Sequence, residues 1–230
     1  MRLPIRLALV LALAGAASSA AAAPPLTPQR ARALARAVTL YASDLPGYTR
    51  SANPVTASER RSNDELASCY GGVAPSRALA FSQSPLFTQQ APPTVTEVST
   101  AGEVLQSAAL VTRDLDAFKG ARALTCVAEA LRAVTKLPRD ARLVRIHDAF
   151  ISPAGVSGVP IAFAFRVVLV ARVTSGSQHA DVSLYADEVV FGDGPLEGDL
   201  EVTRFGSAPA VAFERTLDER LVARAKAVLG

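Results

Sequence analysis

Apolar positions in the first half of the chain recur at helical spacing. Thr27 followed by Pro28 is a helix start, a capping hydroxyl ahead of a proline in the first turn. Leu34, Val38 and Tyr41 then fall at i, i+4 and i+7 on one stripe, and Asp44-Leu45-Pro46-Gly47 ends the helix. Residues 51–58 are polar, contain Pro54 and read as surface loop. Ser62 and Glu65 have capping-box spacing; Leu66, Cys69 and Tyr70 share one side of a short helix that Gly71-Gly72 stops. Residues 78–81, 94–99 and 103–106 alternate as strands, the first two separated by a connection holding Pro85, Pro92 and Pro93. Ser107 is placed to cap a helix with Val111, Leu115 and Phe118 on one face, broken at Gly120. The next helix carries Leu124, Val127, Leu131 and Val134 and stops at Leu137-Pro138, with Cys126 one residue off its stripe.

The period then changes from helical to strand-like. Residues 143–151, 159–173, 182–191 and 200–205 read as four strands joined by short Gly-containing connections. In the second, Ile161, Phe163, Phe165, Val167, Leu169 and Val173 make one face, while Ala162, Ala164, Val168 and Val170 keep the other largely apolar. A strand apolar on both sides belongs in the middle of a sheet covered on both faces, or covered on one face with a ligand surface on the other. Ser175-Gly176-Ser177 is a hairpin turn, and short connections require antiparallel neighbours. Thr216 and Glu219 form a further capping box, opening a terminal helix with Leu217, Leu221, Val228 and Leu229. The predicted fold is α+β: a mostly antiparallel sheet with helices packed on it, a single-domain α/β sandwich without an internal linker.

The N-terminus changes the meaning of the charge. Arg2 and Arg6 precede an apolar run over 7–17 and a small-residue stretch up to Ala23, which is the order of a secretory signal peptide. The expected division is residues 1–23 as signal peptide and 24–230 as the exported domain. The apolar run is about half the ~20 residues a membrane span needs, and no cysteine follows it for lipid attachment. The other long apolar stretch, 159–173, contains Pro160, Arg166 and Arg172, which argues for a strand and against lipid. No transmembrane anchor is therefore expected in the mature chain, which should be secreted or held in the cell envelope. The 230 residues carry 24 basic and 21 acidic groups with a pI near 9.1. Without Arg2 and Arg6 the balance is 22 to 21, so the basicity mostly leaves with the signal. A near-neutral chain with no tryptophan and scattered arginines gives nucleic acid no surface.

Export also changes the cysteines. Cys69 and Cys126 are the whole complement, and in an oxidising compartment an even pair is most simply a disulfide. The alternative, a catalytic thiol paired with His147 or His179, requires a free thiolate. Other chemistry is sparse. Gly155-Val156-Ser157-Gly158 lacks nucleophile-elbow spacing and lies between two strands, so it reads as a turn. There is no phosphate loop, His-Glu-x-x-His or EF-hand pattern, and no cofactor or metal is expected. Asp187 and Glu188 are adjacent on a strand and point to opposite faces, while Asp114 and Asp116 are two apart on a helix. Asp193, Glu197 and Asp199 flank a Gly-containing turn and read as an acidic hairpin tip rather than a calcium loop. Arg30, Arg32 and Arg36 read as the solvated side of the first helix.

One constellation points to binding. Arg166 and Arg172 project from the more mixed face of the central strand, Arg145 and His147 from the strand before it, and Tyr185 and Asp187 from the strand after. If these faces coincide, they form a basic, aromatic-rimmed groove over the sheet for an anionic or amphiphilic ligand; the alternative is that they cover the sheet edge and pair with acids.

Asp44-Leu45-Pro46 with Tyr48, Cys69 before Gly71-Gly72, Ser84-Pro85-Leu86-Phe87, Val95-Thr96-Glu97-Val98-Ser99 and Cys126 in the following helix carry a resemblance. With the antiparallel strands and terminal helix that follow, the chain resembles the PknH-like extracellular sensor-domain group, exported proteins with a PsbP-like α/β sandwich. The resemblance spans residues 27–230. It implies ligand or partner binding in a cleft between sheet and helix, and it supplies no catalytic residues. Kinase sensor domains of the group carry two disulfides, whereas this chain can form one and has no kinase domain. The leading expectation is an exported, non-enzymatic, sensor-like module binding a small-molecule or lipid-like ligand, or an envelope protein partner. The alternative is a cell-envelope hydrolase with dispersed catalytic residues.

Overall fold

A computed structural model describes residues 26–134, 141–151, 158–175 and 177–229. The expected signal peptide, the helix stop at Leu137-Pro138, the turn at residues 155–157 and the central residue of the 175–177 turn lie outside the described residues.

The chain forms an α+β sandwich, five helices on an eight-stranded antiparallel sheet among the described residues. In chain order these are α1 (Pro28–Ala37), β1 (Thr49–Ser51), α2 (Ala57–Tyr70), β2 (Ala80–Gln83), β3 (Leu86–Ala91) and β4 (Thr94–Val104). Then come α3 (Ala108–Phe118), α4 (Ala121–Val134), β5 (Ala141–Ile151), β6 (Ile161–Ser175), β7 (Gln178–Asp193), β8 (Leu196–Phe205) and α5 (Val211–Leu229). The sheet runs β1-β3-β4-β8-β7-β6-β5, with β2 also paired to β4. Strands β5 to β8 form an antiparallel meander. Strand β8 returns to the N-terminal part by pairing with β4, from Thr96 opposite Arg204 to Val104 opposite Leu196.

Both faces are covered, as the two-sided apolar character of β6 requires. Helices α1 and α5 lie on one face over Leu34, Val38, Phe191, Leu200, Leu217 and Leu221. Helices α2, α3 and α4 lie on the other, where Val111, Leu115 and Val127 meet Phe163, Phe165 and Val167. Cys69 of α2 and Cys126 of α4 form a disulfide with a Cα–Cα distance of 5.9 Å, tying two helices of this second layer together. Gly102 lets α1 sit close on β4: a Cβ there would lie 2.4 Å from the Ala35 carbonyl oxygen. The second layer does not cover its whole face, and the uncovered part is the site described below.

Several boundaries differ from those the pattern predicts. Thr27 caps α1 as expected, accepting from Arg30 N at 3.2 Å, but the helix ends at Ala37, and Tyr41 is exposed outside it. Helix α2 is capped six residues before the predicted Ser62, because Thr56 and Glu59 form the operative capping box. Gly71 closes it with φ 87°, the left-handed conformation glycine adopts freely. The proline-rich connection contains β3, and residues 94–99 and 103–104 are parts of one strand, β4, in which Ala101 and Gly102 continue the pairing, while residues 105–106 lie beyond its end. Helix α5 starts at Val211, so Thr216 is inside it, and its hydroxyl donates to the Ala212 carbonyl rather than capping. The turn before β8 is only Gly194-Pro195, so Glu197 and Asp199 are strand residues and not an acidic hairpin tip.

Candidate functional site

The alternation of β8 sets the chemistry of its two faces. Leu196, Leu200 and Val202 point into the α1/α5 core, so Glu197, Asp199 and Glu201 point the other way. Register carries the pattern sideways. Glu103 of β4 stands opposite Glu197, Ala101 opposite Asp199 and Ser99 opposite Glu201; on the other flank Glu188 of β7 also stands opposite Glu201. The result is a floor of five carboxyl groups on three adjacent strands. Above it is a cavity of about 460 Å³ that α2, α3 and the loops around them leave open. Its volume is in the range of small-molecule sites.

The walls are mixed. Leu66 and Tyr70 come from α2, Phe118 from α3, and Phe81 and Gln83 from β2. Tyr70 and Phe118 meet edge to face with centroids 4.7 Å apart, and Phe118 stacks on Phe163 of the floor at 5.3 Å, so the aromatic wall is rooted in the core. Asp114 adds a sixth carboxyl from α3 and Glu59 a seventh at the rim; among the described residues no Lys, Arg or His lines the cavity.

Local bonding fixes these groups unequally. Asp114 accepts from Val73 N at 2.5 Å and from the Tyr70 hydroxyl, and its side chain is hydrogen-bonded to that of Glu197. Gly72 makes this possible, since a Cβ there would come within 2.2 Å of Asp114 Oδ1. Of the two glycines after α2, the first turns the chain and the second makes room for this carboxyl. Asp199 accepts from Ala101 N at 2.8 Å, and Glu201 from the Ser99 hydroxyl at 3.3 Å. Gln83 Oε1, at the wall, is buried with no donor.

These carboxyls are half-buried, with Glu201 exposed, and desolvation pushes them upward in pKa while mutual repulsion adds to it. Glu103 is raised to about 8 by desolvation and then by Asp199, Asp114 and Asp64. Asp199 is raised to about 7 by desolvation and by Glu201, against the Ala101 N–H bond. Glu188 and Glu197 are raised well above the usual carboxyl range, first by desolvation and then by neighbouring acids. Glu201 is raised too, although its side chain opens to solvent at the mouth. These groups titrate as a set, so the protons belong to the cluster rather than to single residues.

The six residues expected to form a basic groove lie on the opposite face. Register puts Arg145, His147, Arg166, Arg172, Tyr185 and Asp187 on one side of β5, β6 and β7. None of them lines the cavity. Arg166 donates from Nε and Nη2 to both Asp187 carboxylate oxygens, with Nε–Oδ1 2.6 Å, and its guanidinium sits 5.9 Å from the Tyr185 ring centroid. Arg172 is bidentate with Asp181 at 2.7 and 3.0 Å on the surface. Both central-strand arginines are thus paired to acids, while Arg145 and His147 stand exposed on edge strand β5. Asp187 and Glu188 do point to opposite faces, Asp187 to Arg166 and Glu188 into the cavity.

The cavity acids were individually visible in the sequence but not as a group. The available signal was Glu197-x-Asp199-x-Glu201 at period two, interleaved with Leu196, Leu200 and Val202. Asp116 is exposed, so Asp114 and Asp116 do not act together; Asp114 alone reaches the cavity. Among the described residues no three His, Cys, Asp or Glu side chains are placed to share a metal ion, and no helix is long and apolar enough to cross a membrane. No family model, no curated protein and no solved structure matches the chain.

Proposed function

We propose that this protein is an exported, non-enzymatic, sensor-like binding module of the PknH-like kind, whose working surface is the cavity between the sheet and helices α2 and α3. The carrying observation is the cavity itself: about 460 Å³ over the central strands, with aromatic walls and seven acidic side chains. Such a floor costs stability when empty, because its crowded, partly desolvated carboxyls must stay protonated or repel one another. Supporting the binding reading, neither histidine of the chain borders the cavity, and both cysteines are in the disulfide, so no Ser–His or Cys–His pair faces it. Supporting export are the signal-like N-terminus and the Cys69–Cys126 bridge.

The test is native mass spectrometry of protein recovered from its own host, beside an Ala101→Trp variant. Ala101 lines the cavity, and an indole there would fill it. A bound small molecule on the wild type, absent from the folded variant, supports the reading. A bare wild-type chain, or a molecule retained by the variant, overturns it.

A further inference from the structure

We infer that the molecule this cavity takes is an organic ammonium, its cationic nitrogen set among Glu103, Glu188 and Asp199 and its apolar body against Leu66, Tyr70 and Phe118. The inference rests on the binding reading above and adds the ligand's charge and shape.

Three independent features point to a cation. Among the described residues the lining has seven acids and no base, so no lining side chain supplies a counter-charge to the floor. Gln83 Oε1, at the wall, is buried without a donor, so acceptor capacity is in surplus where a ligand N–H would arrive. Tyr70, Phe81 and Phe118 offer aromatic rings at the same cavity, and ring faces attract ammonium groups that have left water. Two features favour an organic cation over a metal ion. The described residues hold no three metal-ligating side chains in a common arrangement, and the apolar walls give a bare ion nothing to bury.

Binding should be coupled to protons. The groups facing the site are Glu103, Glu188, Glu197, Asp199, Glu201 and Asp114, with Glu59 at the rim. Glu97, Asp64 and Tyr70 act on them from nearby, and Arg113 is the cation that bears on Asp114. An incoming ammonium favours the ionised form of these carboxyls and displaces the protons they hold at neutral pH. Affinity should therefore rise with pH, by up to about tenfold per pH unit for each proton released.

Isothermal calorimetry with three matched probes tests this on the full mature chain: phenethylamine, 2-phenylethanol and phenylacetate share a ring and differ in charge, and calcium chloride serves as the inorganic cation. Supporting results are measurable phenethylamine binding, no measurable phenylacetate binding, tighter binding at about pH 8 than at about pH 6, and at least about tenfold weakening in the Glu103→Gln/Glu188→Gln variant. The inference alone falls if phenylethanol or phenylacetate binds as tightly as the amine, if calcium displaces the amine stoichiometrically, or if the double variant binds normally. If none of the probes binds at either pH, the inference and the binding reading both fail. A circular-dichroism spectrum and unfolding midpoint for the variant separate lost binding from lost fold.

Discussion

Glu103 on β4 stands directly opposite Glu197 on β8, two carboxyl groups side by side on the floor of a cavity that no described basic side chain lines. Cross-strand like charges are destabilising, and here Glu188, Asp199 and Glu201 extend the arrangement over three strands. The fold tolerates it because the cluster retains protons where isolated carboxylates would be ionised.

The first prediction follows from that retention. Folded-state values raised to about 8 for Glu103 and about 7 for Asp199 mean the folded chain holds protons that the unfolded chain releases near pH 4. Their contribution is fully present below the unfolded pKa and is lost as pH rises through the folded one. The unfolding midpoint should fall between about pH 5 and about pH 8. Glu103→Gln should flatten that decline, raising the midpoint at alkaline pH and leaving it near wild type in acid. A midpoint that rises with pH over this window contradicts the predicted sign.

A second buried acid pair lies under α5, on the other face. Asp218 is 0% exposed and Glu214 2%; neither Asp218 oxygen has a partner, and burial raises both groups to about 8. Glu214 also faces Asp187 and Arg166, and Glu219 repels Asp218. Asp218→Asn should stabilise the domain by about 1–3 kcal/mol above pH 8, where the carboxylate would be ionised and unpaired, and little at about pH 5. Urea unfolding at the two pH values measures it, and equal effects at both would count against it.

The Arg166–Asp187 pair should be structural. Asp187's side chain is fully buried and that of Arg166 is 25% exposed. Arg166→Ala strands Asp187 under α5, and a loss of about 1–3 kcal/mol is expected, since the outer edge of the pair is already in water. Ligand affinity should be unchanged, because neither residue borders the cavity. Loss of affinity with stability intact would return the site to the basic face.

The disulfide holds α2 against α4, and α2 forms one wall of the cavity. The Cys69→Ser/Cys126→Ser variant should lose about 2–5 kcal/mol in urea unfolding, as removal of a native bridge ordinarily costs. Both thiols free in exported wild-type protein would contradict the bridge.

Much of the fold was legible because its signals are local. The two-sided apolar face of β6 announced a central, doubly covered strand; the caps at Thr27 and Ser107 and the glycine stop at Gly71 were read directly. What failed was competition among equivalent signals. Ser62/Glu65 and Thr56/Glu59 share capping-box spacing, and only packing selects Thr56. Strand β3 is hidden among Pro85, Pro92 and Pro93, which lie just outside its ends and so leave its pairing with β1 and β4 intact. The site was the least legible part. Arg145, His147, Arg166, Arg172, Tyr185 and Asp187 are on one face, as their parity allowed, but sequence cannot show that Arg166 and Arg172 meet acids across β7. Conversely, Glu103 and Glu197 are 94 positions apart and become neighbours only through the β4–β8 register. A two-residue turn at Gly194-Pro195, shorter than expected, moved Glu197 and Asp199 from a loop into a strand and thereby onto the floor.

The most direct measurement is an amide chemical-shift map of the mature protein titrated with phenethylamine at about pH 8, where proton release assists binding. Saturable shifts clustered at Ala101, Glu103, Glu188 and Asp199, with Tyr70 and Phe118 following, are the predicted result. Shifts clustered instead at Arg145, His147 and Tyr185, or no saturable shifts at all, would contradict an acidic cavity as the binding site.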